Sequence, residues 1–555
     1  MLSSESIQAL FRPSSWIVEP EPSTFAPRGT LTNKDMDPTP PHLRTWTTRD
    51  YVAYWVASSF NISAWEISSS MLATGLSWRQ ALVCIAVGHS IISIPILLNG
   101  TIGARLHVPF PVLVRSSFGY WFSYFAVVSR VALSMFWFGV QSYSGGECVY
   151  QMLKAIWPSI QNMPNHLPES AHVTTVNMLC FFIYMVIQFP FMIISPQRVK
   201  WFFLFKAIVC PAACVAMLIW ALVEVPVGQS LGNKHTSLSG SELHWSYMSA
   251  MNSAIGIWLT LAVNIADFTR YAKTPRSQMV QIAIIPPVFT FIGFIGIVVT
   301  AAGQVLYGQI LWDPTTLINR FSSRPLSFLA ALSFAIGTIG TNIASNSLSA
   351  ANDMTVLFPR YINIRRGQVL CCIIGGWALV PWEILSSAPG FLNFMSGYTV
   401  FLGPFASILI TDYYLVHRSL VSVPAMYDPD GIYRYTYGFN WRAVIALLVT
   451  VTPCLPGLAK AVNNNVDVGH SDGAVRLYQV SSLYGFFTAM FVYYTLSRLF
   501  PDRKTFVTVE ESMVPNADKA DEESAHSWIE VENNMEEKKE HGGVEIEVVS
   551  VASRS

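Results

Sequence analysis

The chain has 555 residues, of which 52% are hydrophobic, 13% aromatic and only 12% charged, and its 34 basic residues balance 34 acidic residues. A mean hydropathy of +0.40 lies outside the usual range for a soluble protein of this length. These values predict an integral membrane protein. The absence of net charge gives no support for a nucleic acid as a partner.

Twelve segments are apolar for about 20 residues, the length that an α-helix needs to cross the roughly 30 Å hydrocarbon core of a bilayer. We therefore predict an all-α integral membrane protein with twelve transmembrane helices. These predicted spans, numbered one to twelve, are residues 51–73, 79–98, 121–146, 174–194, 200–223, 248–268, 280–307, 327–350, 368–387, 393–416, 441–458 and 478–499.

The basic residues of the loops are unevenly distributed. Arg105 and Arg115 follow span two, Arg198 and Lys200 follow span four, and similar groups follow spans six, eight and ten, whereas the intervening loops carry fewer. Cytoplasmic loops carry an excess of Lys and Arg, so both termini are predicted to face the cytoplasm.

The segments outside the spans are polar. Residues 1–50 form a tail with many Pro and Ser and without a signal-peptide pattern, and residues 51–500 contain all twelve spans. Residues 501–555 are rich in Glu and poor in aromatic residues, which predicts a disordered, acidic, regulatory tail.

The sequence gives no support for enzyme chemistry. It contains no HExxH, GxxxxGK[ST] or GxSxG pattern. The eight cysteines lie in or at the end of predicted spans, as small packing residues do, and no His or Cys set with metal-ligand spacing accompanies them. Neither a metal nor another cofactor is predicted.

Polar residues at membrane depth are costly and usually face a cavity or another helix. Trp137 and Gln141 in span three are four residues apart and share one helix face. In span eight, GTIGTNIASNSLSAAND places Asn342, Asn346 and Asp353 on one polar stripe. Such amides can also be interhelical hydrogen-bond partners, worth about 0.6 to 2 kcal/mol. The combination of the flat indole ring of Trp137 with several amide side chains favours a ligand site.

Two further spans carry polar or aromatic groups at mid-depth. SSFNISAWE in span one contains Asn61 and Glu66, and span six contains Gly256 and Trp258. Tryptophan often marks the membrane interface, but Trp258 falls well inside its span.

Several long segments carry a family resemblance. They are FPVLVRSSFGYW, FWFGVQSY, LAVNIADFTRYAK, GTNIASNSLSAANDMTVLFPRYINIRRG and ITDYYLVHR. From about residue 30 to 500 the chain resembles the nucleobase–cation symporter-1 family, and within it the fungal uracil and allantoin permease branch. The resemblance implies a LeuT-like fold of two five-helix inverted repeats and two extra C-terminal helices, with spans one and six unwound near Asn61 and Gly256.

The resemblance also implies the substrate site. The family's substrate-binding Trp and Gln of span three match Trp137 and Gln141, its span-eight Asn matches Asn346, and its span-six Trp matches Trp258; the position of Asn61 adds it to the site. A flat ring can stack on indoles, with about 1 to 3 kcal/mol per base in nucleic-acid systems, and amides can read its C=O and N–H edge.

These features predict a secondary active transporter of the plasma membrane that imports a nucleobase-like heterocycle, such as uracil, allantoin or uric acid, by alternating access. The alternative is a nutrient sensor that binds the same ligands without transporting them. An ion channel is disfavoured because the sequence has no ring of charges or filter motif.

The resemblance bears on the coupled ion as well. Sodium-coupled members bind the ion through backbone carbonyls of spans one and eight and two adjacent hydroxyls of span eight, and the matching positions are Ala57, Phe60, Gly337, Gly340 and Thr341. Gly340 has no hydroxyl, and losing one of about five oxygens should weaken sodium binding. Proton coupling is therefore expected.

A coupled proton needs a titratable group buried in the moving part of the protein. Glu66 in span one and Asp353 in span eight are the candidates, with Lys206 in span five as a partner. For each, a static salt bridge or a charge that reaches the interface is the alternative.

Two expectations concern regulation. Met395 in span ten matches the position of a thin outer gate in the family, although a flexible Met can also fill a packing gap. Lys519, Lys538 and Lys539 in the acidic tail are predicted to be accessible to ubiquitin-conjugating enzymes.

Overall fold

The computed structural model of the chain describes residues 34–193, 200–226, 238–463, 465–468 and 472–508, with the isolated positions 23, 25, 26, 32 and 228. In these residues the regular secondary structure is helical, as predicted. The tail lysines Lys519, Lys538 and Lys539, and the acidic segment around them, lie outside the described residues.

The described residues of the first half of the chain form seven α-helices. They are α1 Thr48–Ser59, α2 Ile62–Ala73, α3 Trp78–Leu106, α4 Phe110–Phe118, α5 Ser123–Ile156, α6 Thr175–Ile193 and α7 Lys200–Glu224.

The second half continues with more interruptions. Its helices are α8 Gly240–Asn264, α9 Ala266–Thr269, α10 Gln281–Tyr307, α11 Pro314–Ile318, α12 Arg324–Thr341, α13 Leu348–Leu357, α14 Ile364–Ile373, α15 Pro381–Ile384, α16 Ala388–Gly397, α17 Thr399–Ile410, α18 Val423–Tyr427, α19 Trp441–Val451, α20 Leu455–Val462, α21 Asp472–Tyr478 and α22 Ser481–Leu499.

Eight helical stretches of the described chain are long and apolar enough to cross a membrane. They are Trp78–Leu106, Ser123–Ile156, Glu169–Ile193, Leu204–Glu224, Pro275–Tyr307, Arg324–Leu357, Ala388–Val416 and Trp441–Val462. The other four predicted spans coincide with helices that are interrupted or more polar, namely α1 with α2, α8, α14 and α22. The protein is therefore a multi-pass membrane protein.

Span one is broken at mid-length. Helix α1 ends at Ser59, Phe60 leaves the helical region with φ −86° and ψ 78°, and Asn61 is extended with φ −143° and ψ 165°. Asn61 then caps α2, because its Oδ1 accepts a hydrogen bond from the backbone N–H of Ala64 at 3.0 Å and its Nδ2 donates to the carbonyl of Ser58 at 2.6 Å. One asparagine thus stabilises both sides of the break.

The predicted unwinding of span six at Gly256 is wrong. Helix α8 runs without interruption from Gly240 to Asn264. A Cβ at Gly256 would lie 2.4 Å from the backbone oxygen of Met395. The glycine is needed there because the backbone of span ten packs directly against the helix, and this close approach requires no break.

Span eight contains a π-helix, Asn342–Ser347, between α12 and α13. A π-helical turn holds an extra residue and often occurs at functional sites. Here the Nδ2 of Asn346 donates to the Oδ1 of Asn342 at 2.8 Å, so both amides are on the same side of the helix.

The long helices pack in two groups. Span two (α3) contacts spans six and seven (α8 and α10), and span seven contacts span one. Span three (α5) contacts span four (α6) and span eight (α12 and α13), and span eight contacts span nine (α14). The break in span one lies where these groups meet.

The start of the predicted C-terminal tail packs on the bundle. The Nε2 of His417 hydrogen-bonds the Oγ1 of Thr505 at 2.9 Å, and the rings of His417 and Phe506 are 5.4 Å apart. Residues 501–508 therefore belong to the folded part of the protein.

Candidate ligand-binding site

A small cavity of about 40 Å³ lies at the break in span one, where spans three, six and eight approach it. All five predicted substrate-binding residues are around this cavity, which is lined by Asn61, Ser63, Trp137, Gln141, Ile257, Trp258, Thr260, Leu261, Thr341, Ser345 and Asn346. Sites for small molecules usually measure about 300–1,000 Å³. The cavity in this structure is therefore much smaller than such a site.

Three polar atoms at the cavity have no hydrogen-bond partner within the described residues. They are the indole N–H groups of Trp137 and Trp258 and the Oε1 of Gln141. Their side chains are only 7%, 5% and 2% exposed, respectively. Leaving such a buried group unpaired costs about 1–3 kcal/mol, so a ligand that supplies the missing partners is favoured.

The amide of Gln141 is held by one neighbour. Its Nε2 donates to the Oγ of Ser63 in α2 at 2.9 Å. This contact joins span three to the start of α2 and leaves the Oε1 of Gln141 as an acceptor for a ligand.

Asn346 is the inner end of an amide network. Asn342 accepts from Asn346, and its own Nδ2 donates to the Oγ of Ser142 at 2.9 Å and the Oε1 of Gln188 at 3.2 Å. The network runs from the cavity to span four and fixes the amide of Asn346 in one orientation.

Asn61 lines the cavity, but in this conformation its side chain is hydrogen-bonded to the backbone of span one. Both polar atoms of its side chain are engaged in capping α2 and closing the end of α1. Its contribution to the site is to shape the cavity wall, and a direct contact with a ligand stays a prediction.

The two indoles are supported by rings behind them. Trp258 packs against Trp55, with ring centroids 5.6 Å apart, and against Phe289 at 4.7 Å. Trp137 packs against Phe394 at 5.7 Å. Both indoles line the cavity, and no contact between their rings is found in the described part of the chain.

A lysine side chain lies against two of the positions that match the sodium site. The Nζ of Lys206 donates to the Oγ1 of Thr341 at 2.8 Å, and Thr341 donates to the carbonyl of Gly337 at 3.0 Å. A Cβ at Gly340 would lie 2.6 Å from the Cδ of Lys206. The lysine side chain therefore occupies the space that a hydroxyl-bearing residue at position 340 would need.

Two further positions that match the sodium site, Ala57 and Phe60, lie in span one. A Cβ at Gly337 would be 3.6 Å from the carbonyl oxygen of Phe60, so the broken segment and span eight are close together. Ala57 is half-buried in the last turn of α1.

Asp353 forms a buried salt bridge. Its Oδ2 accepts from the Nε and Nη2 of Arg130 in span three at 3.0 and 2.8 Å, and the two side chains are 0% and 2% exposed. Arg130 also donates to the hydroxyl of Ser349. This is the static arrangement that was the alternative for Asp353.

In the part of the chain that the structure describes, Glu66 has no such counter-charge. Its side chain is 1% exposed, and its Oε2 has no partner within the described residues. The charged groups that act on it belong to Asp313 and Glu147, and both are acidic.

Met395 lies behind the cavity wall. It is fully buried, and its Sδ accepts from the hydroxyl of Tyr398 at 3.4 Å. The same hydroxyl donates to the carbonyl of Gly256 at 2.9 Å. Met395 therefore belongs to the contact between spans ten and six, and its role as a gate stays a prediction.

The sequence did not identify Ser63, Thr260 and Ser345 as cavity residues. Each is close to a predicted residue, since Ser63 follows Asn61 by two positions, Thr260 follows Trp258 by two, and Ser345 precedes Asn346. Serine and threonine are common elsewhere in these spans, so proximity was the only available signal.

Comparisons with known proteins show which family the chain resembles. The family model described as a permease for cytosine/purines, uracil, thiamine and allantoin matches residues 38–485. The allantoin permease of Saccharomyces cerevisiae is 35% identical over 86% of this chain and 77% of its own. The uracil permease of the same organism is 33% identical over 84% of this chain and 76% of its own.

The fold is similar to that of a solved transporter. Mhp1 in an inward-facing conformation is 23% identical, covers 88% of this chain and 99% of its own, and superimposes with a TM-score of 0.69. Mhp1 in a closed conformation with bromovinylhydantoin bound gives a TM-score of 0.68. Because a family model and relatives above 30% identity cover most of the chain, the protein belongs to the nucleobase–cation symporter-1 family of permeases and is a transporter, not an enzyme.

Proposed function

We propose that this permease imports a planar, nucleobase-like heterocycle such as uracil, allantoin or uric acid, together with a proton, by alternating access. The observation that carries the proposal is the cavity with two indole N–H donors and one amide acceptor that have no hydrogen-bond partner among the residues that the structure describes. A heterocycle with adjacent C=O and N–H groups complements these atoms, and its faces can stack on the indoles. Relatives named for allantoin and uracil agree with this ligand class.

The architecture proposed for transport has twelve spans. Spans one to five and six to ten form two inverted repeats, and spans eleven and twelve are peripheral. Support comes from the two groups of packed helices and from the broken span one between them. Rocking of one group against the other would open the cavity to each side of the membrane in turn.

We place the protein in the plasma membrane with both termini in the cytoplasm. Trp46, before span one, forms an isolated bridge with Ala272, after span six. The hydroxyl of Tyr427, after span ten, donates to the backbone oxygen of Met36 at 2.6 Å. The N-terminal segment is therefore on the same side as the loops that carry most of the basic residues.

Proton coupling is proposed because the ammonium group of Lys206 contacts Thr341, one of the positions that match the sodium site. An ammonium group in contact with Thr341 repels a second cation at the same position. Glu66 is the better candidate for the proton, because the carboxylate of Asp353 is already paired with Arg130.

The test is uptake of radiolabelled uracil and allantoin into yeast cells that lack their own permeases, with unlabelled heterocycles as competitors. Uptake is expected to rise as the external pH falls from about 7 to about 5, since a transported proton is then more available. A protonophore should abolish it, and replacing sodium with choline should not change it. Sodium-dependent uptake that is insensitive to the protonophore would contradict proton coupling.

Gln141→Ala tests the site in the same assay. It removes the free acceptor of the cavity and the contact with Ser63, so uptake should be nearly abolished while the protein still reaches the cell surface. Gln141→Glu separates the two effects, because it keeps acceptor oxygens on a side chain of the same shape but loses the Nε2 donor that contacts Ser63. Normal uptake by Gln141→Ala would remove this residue from the site.

The sensor alternative makes a different prediction. A sensor would bind the labelled heterocycle without accumulating it, so the label would not exceed the amount of protein in the membrane. Concentrative accumulation would exclude a pure sensor.

A further inference from the structure

The hydroxyl of Ser63 differs from those of the other serines in α2. Ser68 donates to the carbonyl of Trp65 at 2.8 Å, Ser69 donates to the same carbonyl at 3.1 Å, and Ser70 donates to a carbonyl one turn earlier. Ser63 lies in the first turn, directly after the break. No bond from its hydroxyl to a carbonyl is found in the described residues, so its proton is available to a side chain.

Two side chains neighbour this hydroxyl. Gln141 donates to it from Nε2 at 2.9 Å. Glu66 follows Ser63 by three residues in α2, so the two side chains are neighbours on the same helix face. The side chains of Ser63, Glu66 and Gln141 are 1%, 1% and 2% exposed, so little solvent competes for these bonds.

The ionised form of Glu66 allows only one arrangement of these bonds. A carboxylate can only accept hydrogen bonds. Ser63 must then donate to Glu66 and accept from the Nε2 of Gln141. The Oε1 of Gln141 is left for the cavity, where it matches an N–H group of a ligand.

The protonated form of Glu66 allows both hydrogen bonds of Ser63 to run in the opposite direction. A carboxylic acid can donate, so Ser63 can accept from Glu66 and give its own proton to Gln141. The amide of Gln141 then turns over, its Oε1 accepts from Ser63, and its Nε2 faces the cavity. That arrangement matches a C=O group of a ligand.

We propose that Ser63 couples the proton on Glu66 to substrate binding, because it determines whether Gln141 offers the ligand an acceptor or a donor. The inference rests on the proposed function and assigns its coupling to one hydroxyl. One proton arrives on Glu66, two hydrogen bonds reverse direction, and no covalent bond changes elsewhere.

Other charged groups near Ser63, Glu66 and Gln141 affect the pH range in which Glu66 takes up a proton, but they do not replace Ser63. Asp313, before α11, and Glu147, in α5, face Glu66, and both are acidic. When these two carboxyl groups are ionised, a proton on Glu66 also removes the negative charge that repels them. The buried cations nearby are engaged elsewhere, since Arg130 binds Asp353 and Lys206 binds Thr341.

The first test measures binding of radiolabelled uracil and allantoin to the full-length protein in nanodiscs between about pH 5 and pH 8. Wild-type affinity should change with pH. Ser63→Ala should flatten this dependence and weaken binding by about fivefold at the favoured pH, the effect of one hydrogen bond. Ser63→Thr keeps the hydroxyl and should keep the pH dependence.

A merely structural role for Ser63 would lower affinity by the same factor at every pH. Glu66→Gln should also flatten the profile, and the double variant with Ser63→Ala should be no flatter than either single variant. A wild-type pH profile in Ser63→Ala would overturn the proposal.

The second test needs no ligand. Infrared difference spectra between the two ends of the pH range should show a protonated carboxyl band that disappears in Glu66→Gln. Ser63→Ala should shift this band to higher frequency, because a hydrogen bond to the acid is lost. An unshifted band would overturn the relay. Failure of uracil and allantoin to bind the wild type would instead contradict the proposed substrates.

Discussion

Gly340→Ala tests whether Lys206 occupies the sodium position. The added Cβ would lie 2.6 Å from the Cδ of Lys206, whereas ordinary contacts are 3.4–4 Å. Overpacking of this kind costs about 1–3 kcal/mol. If the lysine moves away instead, its 2.8 Å bond to Thr341 is lost, and a hydrogen bond to a charged group is worth about 1.5–3 kcal/mol. We therefore expect Gly340→Ala to lower the free energy of unfolding by about 1–3 kcal/mol, because the protein adopts whichever of these two responses costs less.

The assay is a double-mutant cycle that combines Gly340→Ala with Lys206→Ala. Thermal unfolding of the purified variants is measured, together with uptake in cells. Gly340→Ala alone should lower both the unfolding temperature and the uptake. In the Lys206→Ala background the same methyl group meets no lysine, so it should change stability by less than about 0.5 kcal/mol, which gives a coupling energy of about 1–3 kcal/mol.

Gly473→Ala is the matched control, because a Cβ there would meet no atom within 4 Å. It should leave stability and uptake unchanged. The reasoning is refuted if Gly340→Ala has the same effect with and without Lys206, since the lysine would then not fill this space.

Three further predictions concern the gate, the tail and a buried histidine. Met395→Ala should admit larger rings, measured as new competitors of uptake; an unchanged competitor profile would count against a gate. Deleting residues 509–555 should slow substrate-induced removal from the cell surface without changing affinity, and normal turnover would exclude ubiquitin attachment there. Burial lowers the pKa of His417, but Asp412 and, to a smaller extent, Asp502 raise it by more. The pKa therefore lies above its ordinary value of 6.5. A raised pKa stabilises the fold fully below about pH 6.5 and less as the pH rises through the raised value, so His417→Gln should flatten the fall of the unfolding temperature with rising pH.

Much of the candidate site could be predicted because it depends on local spacing and family motifs. Trp137 and Gln141 are one turn apart on one face, and both line the cavity with Trp258 and Asn346. The break in span one could be expected at Asn61, a residue that favours helix N-termini.

The rest depends on contacts that join distant parts of the chain. Arg130 and Asp353 are 223 residues apart, and Lys206 and Thr341 are 135 residues apart, so no local pattern reveals either contact. The error at Gly256 has the same origin. Glycine suits both an unwound segment and a close helix contact, and only the position of span ten distinguishes the two.

The central claim is that a heterocycle binds between Trp137 and Trp258 with its polar edge against Gln141. The most direct measurement is a cryo-electron microscopy structure of the protein with the heterocycle that it accumulates. The account predicts ring density in an enlarged form of this cavity, stacked on at least one indole and within hydrogen-bond distance of the Gln141 amide. Ring density at another place in the bundle, with this cavity not enlarged, would contradict it.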